Sequence, residues 1–134
     1  MLGSGDLMAF VATKDPQRSR DFYQHTLGLR LVADEPFAIV FDANGTMLRV
    51  QKVRELAPAP YTALGWQVPN IREAIRALIE KGVTFERFGL EAFPQDDLGI
   101  WTADDGTKVA WFKDPDGNTL SLTEFSLPPL SSTG

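Results

Sequence analysis

Two stretches alternate apolar and polar residues with the two-residue period of a half-buried strand. In one, Leu120 and Leu122 interleave with Thr119, Ser121 and Thr123. In the other, Leu48 and Val50 interleave with Met47, Arg49 and Gln51. Each follows a turn: Asp114-Pro115-Asp116-Gly117-Asn118 in the first case, Asp42-Ala43-Asn44-Gly45 in the second. Pro115 presets φ, Asp114 can accept hydrogen bonds from the turn ahead of it, and Gly117 suits its exit. A third pattern has helical period. Ile71, Ala74, Ile75, Leu78 and Ile79 fall at i, i+3, i+4, i+7 and i+8, which predicts an amphipathic helix over 70–81 with Ile75, Leu78 and Ile79 buried. Asn70 is its N-cap, Glu73 stands in capping-box position, and Gly82 ends it.

Weaker signals fill in the rest. Leu7–Thr13 reads as a strand. Asp15 as N-cap and Pro16 as first residue open a helix that runs to about Leu27, with Gly28 as C-cap. Further strands are expected at Leu29–Ala33, Phe37–Phe41, Met47–Lys52, Thr62–Val68 and Val83–Arg87. Gly99–Ala103 and Thr107–Lys113 flank Asp105-Gly106, a two-residue hairpin signal. The order repeats. Asp15 and Asn70 lie 55 positions apart, Gly28 and Gly82 54, and Gly45 and Gly117 72. The chain therefore reads as two βαβββ modules, residues 1–54 and 62–127, joined by a Pro-containing linker at 55–61 and followed by a flexible tail at 128–134. The second module carries about 18 extra residues, roughly 88–106. They are either a surface loop or a lid over a binding site.

Composition narrows the function. Hydrophobic residues make up 43% of the 134, enough for a real core. The net charge of −5 and the absence of a basic cluster argue against nucleic acid. With no cysteine, disulfides, thiol nucleophiles and thiolate metal sites are excluded. No signal peptide or membrane-length apolar run is visible, so a cytoplasmic protein without membrane association is expected. No Gly-rich phosphate loop and no nucleophile elbow occur. Glu124 and Asp114 are the carboxylates available for acid–base work, and both are better explained as strand-end and turn residues.

Three motifs, in order, make the chain resemble the vicinal oxygen chelate superfamily, which groups glyoxalase I, extradiol dioxygenases, and bleomycin- and fosfomycin-resistance proteins. They are Asp15 followed by Ser19-Arg20-Asp21-Phe22-Tyr23-Gln24-His25-Thr26-Leu27-Gly28-Leu29, then Val68-Pro69-Asn70-Ile71 leading to Ala77–Val83, then Phe112–Asn118. The resemblance implies an α+β fold, two βαβββ modules whose strands curl into a cup. In the metalloenzymes of the family the cup holds a divalent ion on His, Gln or Glu. Carried onto this chain, those positions fall on Met8, Arg49, Ala63 and Ser121, which are not ligands for such an ion. His25, the chain's one histidine, sits late in the first helix and reads as a dipole partner.

If Met8, Arg49, Ala63 and Ser121 face the cup, alternation brings Phe10, Ala12, Met47, Gln51, Gly65, Gln67, Thr119 and Thr123 to the same side. Val11, Leu48, Val50, Leu64, Trp66, Val68, Leu120 and Leu122 then pack under the helices. The expected ligand-binding set is Met8, Phe10, Arg49, Gln51, Gln67, Trp101, Ser121 and Thr123, with no metal and no cofactor. The ligand is a small organic molecule, anionic or carbonyl-bearing, and the protein is expected to be a homodimer. Arg49 either anchors that ligand or pairs with an acidic residue at the rim. Trp101 and Phe93 either close over the cup or pack against Trp111. The resemblance leaves open whether the protein is an enzyme. The alternative reading is a metal-dependent lyase, isomerase or dioxygenase with non-standard ligands, and a third is an interaction module with a filled cup.

Overall fold

The computed structural model describes residues 1–126, so the expected tail lies outside the described residues. By its contacts the chain forms two compact units. One comprises Met1–Ala63 with Asp114–Asn118, and the other Leu64–Lys113 with the described residues from Thr119 to Ser126.

The first unit follows the pattern read from its sequence. Strand β1 (Met8–Thr13) is followed by helix α1 (Pro16–Asp21), β2 (Arg30–Asp34), β3 (Ala38–Ala43) and β4 (Thr46–Lys52). The sheet order is β1-β4-β3-β2, with β1 parallel to β4 and the other pairs antiparallel. Asp15 caps α1 by accepting from the Arg18 amide at 3.3 Å, and Pro16 occupies the first turn. The expected continuous helix is interrupted. Phe22–Thr26 form a π-turn, closed by the Leu27 amide on the Phe22 carbonyl at 2.9 Å. Within it Tyr23 is fully buried, its ring 5.3 Å from Phe22 and 5.9 Å from Phe41. The β3–β4 turn is a two-residue loop with φ of 50° at Asn44 and 95° at Gly45, the combination a type I′ hairpin demands. Phe37, expected to begin β3, lies outside it and is exposed.

The second unit has β5 (Thr62–Gln67, whose first two residues group with the first unit), α2 (Ile71–Glu80), β6 (Trp101–Thr102), β7 (Lys108–Lys113) and β8 (Thr119–Glu124), in the order β5-β8-β7-β6. Helix α2 has the predicted caps. Asn70 accepts from the Glu73 amide at 3.2 Å, and Glu124 accepts from the Ile71 amide at 2.9 Å, so two of the helix's free N–H groups are satisfied. Its buried stripe is narrower than the periodicity suggests. Ile71 and Ile75 are fully buried, Leu78 is half-buried, and Ile79 is exposed. Burying each of the two isoleucines contributes about 1.5–3 kcal/mol.

Two other expectations in this unit are corrected. Val83–Arg87 is not a strand. It touches the sheet through a single bridge between Phe85 and Phe112 and one bond from the Glu86 amide to the Trp111 carbonyl. The turn at Asp105-Gly106 holds three residues, closed by Ala103 on Thr107 at 2.8 Å, with Gly106 at φ 92° and Asp105 accepting from the Thr107 amide. Asp-Gly serves this bulged loop as well as the two-residue one, because both place Gly in the left-handed region.

Candidate functional site

The strand register fixes which side chains share a face. In the first sheet Met8 pairs with Met47, Phe10 with Arg49 and Ala12 with Gln51. On the opposite face Val11, Leu48 and Val50 are buried. The face predicted from Arg49 therefore exists as one surface, and it is open: Met8 is 42% exposed, Phe10 49% and Met47 40%. Apolar groups of this size are not left uncovered on a sheet by alternation alone. Arg49 donates to Glu35 Oε1 at 3.0 Å, the acidic-partner arrangement that the sequence allowed. Both side chains stay partly solvated, 27% and 47% exposed, so the pair is held by a modest attraction. Gln51 is exposed beside it.

In the second sheet Ser121 pairs with Trp111, and Thr123 with Val109, which in turn pairs with Trp101. Trp101, Trp111, Ser121 and Thr123 thus share a face, while Phe112 and Leu120 are fully buried on the other. Gly65 lies on the Ser121 face: a Cβ built there would come within 2.8 Å of Ser121 Oγ, so any side chain at this position would force that hydroxyl to move. Gln67 is exposed on β5. Unlike Arg49's face, this one is covered in part: Ser121 is 7% exposed and Trp101 and Trp111 are half-buried, while Gly65 and Gln67 on β5 stay exposed. Phe93 of the inserted segment stacks on Trp101 with centroids 4.9 Å apart and planes 11° from parallel. It also meets Trp111 at 5.5 Å, and Phe88 adds edge contacts to Phe93 and Trp111 at 5.8 and 5.6 Å. Trp101 and Trp111 are 6.5 Å apart. Trp101 therefore packs with Trp111 beneath Phe93.

The inserted segment is held by polar pins that carry no periodic signal. Gln95 donates to the Glu86 and Gly99 carbonyls at 3.0 and 2.8 Å and accepts from the Phe88 amide at 2.9 Å. Arg87 donates to the carbonyls of Asp96 and Asp97. Asp96 accepts from the Leu98 and Ile100 amides and, with Asp97, pairs with Arg72. Burial would raise the Asp96 carboxyl, but these donors hold it below its ordinary value. Gln95, Arg87 and Phe88 were not singled out from the sequence. The signal that could have found them is the density of aromatics between Phe85 and Trp111. Beside this segment an open cleft of about 350 Å³ is lined by Arg87, Gly89, Leu90, Glu91, Phe93 and Gln95.

The carboxylates considered for acid–base work have structural partners. Asp114, 5% exposed, accepts from the amides of Asp116 and Asn118, from Asn118 Nδ2 at 2.8 Å and from the Tyr23 hydroxyl at 2.7 Å. Burial, then the charge of Asp114, push the Tyr23 phenol well above its ordinary range, so it stays a donor. The family's metal-ligand positions hold Met8, Arg49, Ala63 and Ser121, and a guanidinium repels a cation. Among the described residues no three of His, Cys, Asp and Glu gather as a metal site. These residues do not fit the family's ion. Among the described residues no helix is long and apolar enough to cross a membrane.

A family model described as Glyoxalase/Bleomycin resistance protein/Dioxygenase superfamily matches residues 7–122. A comparison with curated proteins finds no match. Among solved structures, a superfamily member from Sphaerobacter thermophilus is 26% identical with a TM-score of 0.67, covering 89% of this chain and 97% of that one. A glyoxalase family protein from Enterococcus faecalis is 21% identical with a TM-score of 0.71, covering 92% and 100%. A lactoylglutathione lyase from Agrobacterium tumefaciens is 15% identical with a TM-score of 0.68, covering 90% and 93%. At 21% and 15% identity these last two speak for the fold alone.

Proposed function

Because the chain belongs to the glyoxalase/bleomycin resistance protein/dioxygenase superfamily, we propose that it is a metal-independent member that binds a small organic ligand on the solvent-facing sides of its sheets. The observation that carries this reading is the uncovered face of the first sheet, where Met8, Phe10 and Met47 surround Arg49. Apolar walls around one oriented cation suit an organic molecule with a carboxylate or carbonyl. The Glu35 carboxylate, 3.0 Å from Arg49, stands where a ligand carboxylate would sit. A planar guanidinium accepts such an exchange without rearranging. Gln51 supplies an amide on the same surface. The second sheet forms a surface of its own, on which Gln67 is exposed and Trp101 and Thr123 are half-buried, while Ser121, 7% exposed, is the least accessible of the expected contacts. The reading carries with it the cytoplasmic setting and the homodimer expected from the sequence.

The test is a thermal-shift and calorimetric screen of aromatic and aliphatic carboxylates against the purified protein, with elemental analysis of the same sample. For the best binder, Arg49→Ala is expected to weaken affinity by about 1.5–3 kcal/mol, the scale of a charge-assisted hydrogen bond, with stability nearly unchanged. An Arg49→Ala protein that binds as well as wild type refutes the anchor. One Zn, Ni, Fe or Mn per chain, lost on mutating these faces, refutes metal independence.

A further inference from the structure

We propose that the cleft beside the inserted segment is a stacking site for a flat aromatic molecule bearing an N–H or amino donor. The proposal rests on the reading above in one respect, that the chain binds a small organic molecule. It places one on Phe93 and beside Glu91, which that reading does not name, and shares Trp101 with it as the base of the stack.

Phe93 is the platform. One side of its ring is stacked on Trp101, 4.9 Å away and 11° from parallel, and Phe93 also lines the cleft of about 350 Å³. That volume is at the lower end of small-ligand sites. A flat ring entering the cleft extends an existing stack, Trp101 to Phe93 to ligand, in the offset geometry that aromatic pairs favour. The platform is preorganised, because Gln95 fixes both ends of the segment through Phe88, Glu86 and Gly99. A ligand therefore meets a wall already ordered, which lowers the entropy lost on binding.

The polar groups of the cleft decide which flat molecule. Gln95 has its amide donors and its acceptor engaged, and the Arg87 guanidinium donates to the Asp96 and Asp97 carbonyls. Glu91 differs. It is exposed, and among the described residues its carboxylate has no hydrogen bond and no ion pair. The charged acceptor left over in the cleft is thus a carboxylate two residues from the stacking ring, which calls for a donor on the ligand's edge.

Proflavine, a flat diamino heteroaromatic, is the probe, titrated calorimetrically into the full chain. Saturable one-to-one binding is expected. Phe93→Ala should weaken it at least tenfold, and Phe93→Tyr should retain it. Glu91→Gln, at an exposed position where folding is not at stake, should weaken proflavine several-fold yet leave acridine, which lacks the amino groups, unaffected. Equal affinity in Glu91→Gln and wild type, or no saturable binding of proflavine, overturns the proposal. If binding falls with Arg49→Ala but not with the Phe93 and Glu91 variants, the cleft is wrong while the broader reading stands. If neither proflavine nor any carboxylate of the screen binds, both fall.

Discussion

The two sheets share one plan and treat their solvent sides oppositely. In the first, Met8, Phe10 and Met47 stand uncovered around Arg49. In the second, Phe88 and Phe93 pack on Trp101 and Trp111 of the corresponding side, and Ser121 is 7% exposed. The back of each sheet is alike, a layer of fully buried apolar residues such as Val50 in one and Leu120 in the other. Conserved architecture therefore resides in the backs. The difference comes from the inserted segment between α2 and β6, which brings rings to one sheet only. What it teaches is that a strand's alternation specifies a face but not its cover. The cover is written in loops, where no period reveals it.

Four measurements bear on this contrast. The largest effect belongs to the back of the second sheet's unit. Ile75→Ala is expected to cost about 2–5 kcal/mol in urea unfolding, as removal of a fully buried isoleucine does. A loss below about 1 kcal/mol would mean that α2 is not core. Next comes the cover. Gln95→Ala orphans two carbonyls and one amide, for about 1–3 kcal/mol. Hydrogen exchange should speed at Phe88, and Trp fluorescence should shift red. Unchanged exchange there would show that the rings hold the cover without the pin.

The third is acid sensitivity. The Asp96 carboxyl is held below its ordinary value near 3.8. A group lowered on folding stabilises above its unfolded pKa, and that contribution fades as pH falls through the folded one. As pH falls below about 4 the cover should loosen in wild type, seen by Trp emission, and this step should be absent in Asp96→Asn. The smallest effect is on the open face. Phe10→Ser should change stability by about 0.5 kcal/mol or less, since the ring is 49% exposed. A cost near that of Ile75→Ala would mean that the face is covered in solution, and the contrast between the sheets would be lost.

Much of this was readable in the residues. The caps at Asp15 and Asn70 act locally, each through a side chain three positions from the amide it serves, so composition alone announces them. The side on which Arg49 lies follows from Leu48 and Val50, because a strand has only two faces. Ile79 was misjudged because an amphipathic stripe marks what could be buried, and the helix rests on its Ile71–Ile75 side. Val83–Arg87 has strand-like composition, yet only Phe85 bridges to the sheet. Composition does not show how few of its residues come into register with β7. Of the expected site residues, the first-sheet group of Met8, Phe10, Arg49 and Gln51 came together by register. Gln95 was invisible because a side chain that bonds carbonyls on either side of a loop leaves no repeating trace.

The turn Asp114–Asn118 has a consequence for how the chain comes off the ribosome. Asn118 Nδ2 donates to the Ala12 carbonyl at 2.9 Å, the Lys14 amide to Asp116 Oδ1 at 2.9 Å, and the Tyr23 hydroxyl to Asp114 at 2.7 Å, across 106, 102 and 91 positions. A Cβ built on Gly117, which sits at φ 89°, would come within 3.3 Å of Pro58. The N-terminal unit's contact order is therefore set by residues made almost a hundred positions later, and closing loops of that length is slow. An N-terminal half emerging during synthesis leaves the Tyr23 hydroxyl and the Ala12 carbonyl waiting for partners. The first part of the chain to be translated therefore cannot complete the contacts of its unit until residue 118 is made.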